Sequence, residues 1–192
     1  MAHLSIIGTG NMGQAIAAVA GRGGHSVQLL GQGDVATQVT GDIVVLAVPY
    51  PAVSAVLAQR GESLAGKVVV DITNPLNFET FDSLTVPADS SATAEIAAAL
   101  PQSRVLKAFN TTFAATLASG TVGELTTTVL IAGDDADAKS TLAGVITSGG
   151  LNVIDAGSLS RARELEGIGF LQITLAANEK IAWTGGFGVV AS

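Results

Sequence analysis

Short runs of Val, Ile and Leu recur along the chain at His3–Ile7, Ser26–Leu30, Ile43–Val48, Lys67–Ile72, Arg104–Ala108, Thr127–Ala132 and Leu151–Ile154. Most are apolar at consecutive positions, the pattern of strands covered on both faces. Between them lie Ala-rich stretches of helical character, Met12–Ala20, Ala52–Arg60, Ala92–Leu100 and Ala136–Ser148. Strand and helix alternate, which predicts a doubly wound α/β fold on a mainly parallel sheet. Ser90 and Ser91 can cap the helix after them, with Glu95 in its first turn. Asp134, Asp135 and Asp137 read as caps of the next helix, not as metal ligands.

Two segments break the alternation. Only twelve residues separate Leu30 from Ile43, about the minimum for a parallel crossover. The first half of the fold is therefore trimmed, with one short helix expected around Val35–Thr40 and Asp34 as its cap. At the other end, Ser160–Trp183 reads as one long helix with Leu165, Ile168, Leu171, Leu175 and Asn178 on a stripe, followed by a glycine-rich tail. Residues 1–157 form the main domain on this reading. Residues 158–192 are an appendage that either packs on that domain or joins two copies.

Candidate chemistry begins where the first strand ends. Gly8-Thr9-Gly10-Asn11-Met12-Gly13 follows a buried strand and opens a helix, the context in which a G-x-G-x-x-G loop holds a dinucleotide. Gly8 permits the tight turn, Gly10 lets a pyrophosphate approach the backbone, and Gly13 lets helix and strand pack closely. The N–H groups at Asn11 and Met12 then face the phosphates. The fold predicted is thus an NAD(P)-binding Rossmann-like domain. An NAD site usually carries Asp or Glu at the end of the second strand. Gly31 stands there, followed by Gln32, so nothing acidic at that point repels a 2′-phosphate. NADP(H) is the cofactor expected.

Ligands in such sheets lie beyond the carboxyl ends of the strands. Val48-Pro49-Tyr50, Thr73-Asn74-Pro75 and Ala108-Phe109-Asn110 emerge there and are expected to line a nicotinamide slot. Asn74 and Asn110 serve equally well as turn-formers. Tyr50 is read as an aromatic wall before it is read as a proton donor. His3 and His25 lie away from that edge and are read as structural. Nothing resembles a catalytic acid, a G-x-S-x-G elbow or a metal-ligand cluster.

Composition narrows the classes. A formal net charge of −7 argues against nucleic acid and anionic membranes as partners. Hydropathy is positive, yet the longest apolar runs are far short of the ~20 residues a spanning helix needs. The strand beginning at His3 is read as leaving no room for a signal peptide. With no cysteine in the chain, a reducing compartment is the simple reading, and a cytoplasmic location is expected.

Six segments carry a family resemblance: GTGNMG, DITNPLN (Asp71–Asn77), VPADSSA (Val86–Ala92), KAFNTTFA (Lys107–Ala114), AGDD (Ala132–Asp135) and DAGSLSRARELE (Asp155–Glu166). Together they resemble NADP oxidoreductases dependent on the deazaflavin coenzyme F420, short bacterial members in particular. The cytoplasmic domains of six-transmembrane ferrireductases are similar as well. The resemblance implies NADP(H) held by Thr9, Gly10, Asn11 and Met12, with the 2′-phosphate near Gly31–Gln32. It implies the nicotinamide against Val48–Pro49, Thr73–Pro75 and Ala108–Asn110, and a homodimer built partly through the C-terminal helix. The chain departs from the family after the second strand, where GQGD replaces Ser-Arg and a fuller helix. Its glycine-rich ending also differs. The function expected is hydride transfer between NADP(H) and a flavin, a deazaflavin or another small acceptor. A carbonyl or imine reductase and a non-catalytic NADP(H) sensor are the alternatives.

Overall fold

The computed structural model describes residues 1–190. In chain order the elements are β1 (His3–Ile7), α1 (Asn11–Arg22), β2 (Ser26–Leu30), β3 (Ile43–Leu46), α2 (Tyr50–Arg60), β4 (Val68–Asp71), α3 (Ala92–Ala99) and β5 (Arg104–Lys107). There follow α4 (Ala114–Ser119), β6 (Thr121–Val122), β7 (Leu125–Thr126), β8 (Thr128–Ala132), α5 (Ala136–Ser148), β9 (Asn152–Gly157) and α6 (Ala162–Ala177). Seven strands form one sheet in the order β2-β1-β3-β4-β5-β8-β9. The first five run parallel, and β8 and β9, parallel to each other, join β5 in the antiparallel sense.

The fold class expected from the apolar runs is the one observed, a mainly parallel α/β sheet of Rossmann type. Its centre is dry. Every residue of β3 is buried, as is every residue of β4, and one apolar cluster fills each face of the sheet. The crossover from β2 to β3 passes over β1 and carries no α-helix. A single 3-10 turn, Gln32–Asp34, takes its place. The helix expected at Val35–Thr40 is absent because its residues, Val39 excepted, are exposed and bring no apolar face to bury.

Between β5 and β8 the chain inserts α4 and the small β6–β7 hairpin, neither of which has a strong apolar period to announce it. The long terminal helix also ends earlier than its pattern suggests. Glu179 adopts a left-handed conformation (φ 57°) and Lys180 N–H donates to Leu175 O at 2.8 Å, closing the helix at Ala177. The chain then folds back onto its own domain: Trp183 packs on Phe113 with ring centroids 5.0 Å apart, and Phe187 N–H donates to Gln172 Oε1. Among the described residues no helix is long and apolar enough to cross a membrane.

Candidate functional site

The carboxyl ends of β1, β2, β3 and β4 frame a cleft with two lobes. The larger, about 610 Å³, lies between the glycine loop, Leu30–Gln32 and one face of α2. The smaller, about 310 Å³, lies between Gly10–Met12, Pro49–Tyr50 and Ile72–Asn74, with Phe78 and Ile173 of α6 at its margin. Both lobes are lined by Gly10, Ala47, Val48 and Pro49, so they meet over the start of α1.

The glycine loop explains that junction. At Gly8, φ is 121° and an added Cβ would stand 2.0 Å from Ala47 O. At Gly13 an added Cβ would stand 2.1 Å from Gly8 O, so only glycine lets α1 sit this close to the turn. Space beside Gly10 is open. Helix α1 begins there without a side-chain cap and with no acidic residue in its first turn. Its first N–H groups and the positive end of its dipole therefore face the cleft undiminished, a setting that favours an anion.

The lobes bring together twelve of the residues expected from the sequence. Gly8, Thr9, Gly10, Gly31, Gln32, Val48 and Pro49 line the larger lobe. Asn11, Met12, Tyr50, Thr73 and Asn74 line the smaller one. Four others are placed differently. Pro75 is buried below the rim. Ala108 and Phe109 are core residues at 0% and 2% exposure, and Phe109 (φ 63°) turns its ring into the sheet's apolar cluster. Asn110 is buried and points away from the cleft, its Nδ2 donating to Asn74 Oδ1 (2.9 Å) and Leu165 O (2.8 Å). Asn74 Nδ2 returns a bond to Asn110 O. Asn110 thus orients Asn74 from behind instead of touching a ligand.

Asp34 also departs from its expected role. Its carboxylate does not cap a following helix but folds back to accept the Gly31 N–H at 2.7 Å. Tyr50 opens α2, and its hydroxyl donates to Glu95 Oε2 at 2.5 Å. Burial raises the Tyr50 pKa above its ordinary value, and the Glu95 carboxylate raises it further. The two histidines bond across the opposite edge, His3 to Ser26 and Thr40 and His25 to Ala2 and Ser148.

Beneath the smaller lobe lies a charged cluster that the sequence reading did not single out. Asp71 and Lys107, the last residues of β4 and β5, are register partners. Lys107 Nζ lies 2.9 Å from Asp71 Oδ2, 2.9 Å from Glu166 Oε1 of α6 and 2.6 Å from Thr73 O, with no side-chain exposure. Thr93 Oγ1 donates to Asp71, and the Ala92 and Thr93 N–H groups donate to Glu166. Burial raises the pKa of Glu166, and Lys107 opposes that shift without cancelling it. The available signal was positional: each apolar strand, VVVD and RVLK, ends in a charge at matched register. Arg60, also missed, is buried at the end of α2 and lines the larger lobe.

This arrangement defines an α/β domain of the dinucleotide-binding type, with a lobe on each side of an uncapped helix N-terminus. A family model described as NADP oxidoreductase, coenzyme F420-dependent, matches residues 30–75, the stretch that supplies Gly31, Gln32, Val48, Tyr50 and Thr73. The F420-dependent NADP reductase of Methanocaldococcus jannaschii is 32% identical over 149 residues, covering 76% of this chain and 66% of that protein. Metalloreductase STEAP3 of Rattus norvegicus is 36% identical over 113 residues, covering 58% of this chain and 22% of that protein. The chain thus spans under two thirds of the first relative and about a fifth of the second. A crystal structure from Arthrobacter sp. FB24, proposed to be an F420-dependent NADP-reductase, superposes with a TM-score of 0.81 at 25% identity. It covers 98% of this chain and 99% of its own. Over most of its length the chain is thus similar to coenzyme F420-dependent NADP oxidoreductases.

Proposed function

We propose that the chain is an NADP(H)-dependent oxidoreductase that passes hydride directly between the nicotinamide and a planar acceptor of flavin or deazaflavin type. The two-lobed cleft carries this reading. The adenosine half fits the larger lobe, the pyrophosphate fits the open backbone at Gly10, and the nicotinamide fits the lobe at Tyr50, Thr73 and Asn74. Thr73 lines that lobe and its Oγ1 has no hydrogen-bond partner among the described residues, which suits a carboxamide that can both donate and accept. Bound nicotinamide supplies the hydride chemistry; the protein orients the ring and shields it from water.

The titratable groups around that lobe are committed elsewhere. Tyr50 donates to Glu95, and Lys107 is enclosed by two carboxylates and a carbonyl. A reaction that needs no general acid from the chain suits this environment better than carbonyl or imine reduction. NADPH deuterated at nicotinamide C4 tests it. Deuterium retained at C5 of a reduced deazaflavin is the expected result, or a primary isotope effect on reduction of a flavin, whose N5–H exchanges with water; label lost from the deazaflavin, or no transfer to any flavin or deazaflavin, contradicts it.

The same reading includes a homodimer through α6. Ile168 and Leu171 stand exposed on that helix although its pattern marks them as apolar contacts. A second copy covering them would give a mass in light scattering of twice 19.1 kDa, and Leu171→Glu is expected to return it to the single-chain value. A wild-type mass of one chain would refute the dimer.

A further inference from the structure

We propose that Arg60 selects the 2′-phosphate of the dinucleotide, with the Asp34 carboxylate setting the opposing limit; this rests on the reading of the cleft as an NADP(H) site. The wall on which an adenosine ribose lies is the loop after β2. That loop offers Gly31 and Gln32 and no cation of its own. The Gly31 N–H, a natural ligand for a phosphate oxygen, is already given to Asp34 Oδ2. Any phosphate on this wall meets a carboxylate and needs a positive partner from elsewhere.

Arg60 is in position to be that partner. It is the last residue of α2, 8% exposed, and lines the same lobe as Gly31, Gln32 and Val35. Nη1 donates to Thr37 O at 2.7 Å and Nη2 donates to Asp34 O, so the guanidinium is held against the β2–β3 loop from beneath. These bonds occupy two of its five N–H groups and neutralise none of its charge. Among the described residues no carboxylate pairs with it; the ion pairs present involve Lys107, Lys139 and Arg161.

A buried cation held only by carbonyl dipoles and the negative end of its own helix is costly. A phosphate dianion in the adjoining lobe lowers that cost, and the planar fork suits it, since arginine binds phosphate with two parallel bonds. Asp34 acts in the other direction. Its carboxylate repels the dianion, and it would accept the hydroxyl that NADH carries at the same position. The two side chains therefore act in opposite directions at one wall of the lobe, Asp34 through the Gly31 N–H it holds, and Arg60 reaches the site from a different element than the one usually read for cofactor choice.

Calorimetric titration of the wild type, Arg60→Gln, Arg60→Lys and Asp34→Asn with NADPH and with NADH tests this. The wild type is expected to prefer NADPH. Arg60→Gln should weaken NADPH by about 10–100-fold, the loss of a charge-assisted pair, while NADH changes less than about threefold. Arg60→Lys, which keeps the charge and loses the fork, should fall between. Asp34→Asn keeps an acceptor for the Gly31 N–H and removes the charge, so it should raise the NADPH-to-NADH preference. Equal weakening of both cofactors in Arg60→Gln would make Arg60 a structural prop and overturn the proposal, as would a preference that survives intact. If Arg60→Gln fails to fold, an unchanged preference in both other variants overturns it. A wild type that binds the two cofactors equally defeats the NADP(H) reading as well as the proposal.

Discussion

A lysine with no exposed surface is tolerated only where its charge is matched, and Lys107 sits between Asp71 and Glu166 with Thr73 O as third partner. Removing that charge strands two buried carboxylates. Lys107→Met should therefore cost about 3–5 kcal/mol, read from urea denaturation. Glu166 gives the cluster a pH signature. Its folded pKa lies above the ordinary 4.5 because burial disfavours the charge, so the native state keeps a proton that the unfolded chain gives up. Its contribution to stability is full below pH 4.5 and declines as pH rises through the folded value, by at most about 1.4 kcal/mol per pH unit. Glu166→Gln should abolish that decline, and denaturation profiles that stay parallel across pH would refute the assignment. The glycine loop was legible because each glycine answers a local backbone demand. Asp71, Lys107 and Arg60 were not, because their meaning lies in partners distant along the chain.

At the scale of elements, α6 shows where apolar periodicity misleads. The pattern predicts a buried stripe of Leu165, Ile168, Leu171, Leu175 and Asn178. The face that packs is Ala162, Leu165, Glu166, Gly169, Gln172 and Ala176. Polar pairing and close approach choose it: Glu166 reaches Lys107, Gln172 receives the tail at Phe187, and Gly169 passes against Asn74 and Asn110. A Cβ at Gly169 would stand 2.2 Å from Asn74 Oδ1. Gly169→Ala should thus push α6 off the smaller lobe, destabilise the fold by about 1–3 kcal/mol, and weaken NADPH more than it weakens 2′,5′-ADP, which lacks the nicotinamide half. Equal weakening of both would detach α6 from nicotinamide binding. The sheet strands were read to within two or three residues because buried parallel strands have a strong apolar signature. The short α4 and the β6–β7 hairpin lack one.

For the molecule as a whole, the trimmed crossover after β2 has a functional consequence. With no helix between β2 and β3, the face of α2 closes the larger lobe, and a residue from its last turn can reach the ribose wall. The smaller lobe is likewise a shared structure, built by the ends of β3 and β4 and backed by α6 through Ile173 and through Gly169 against Asn74. Both features belong to the assembled fold and to no single segment. On the proposed function, one dinucleotide spans both lobes across the start of α1. Backbone amide resonances followed during titration with NADPH test it most directly. Saturable shifts are expected at Gly10, Asn11 and Met12 together with Gly31 on one side and Thr73 and Asn74 on the other. Saturable binding that leaves the first turn of α1 unmoved, or that moves one lobe alone, would contradict it.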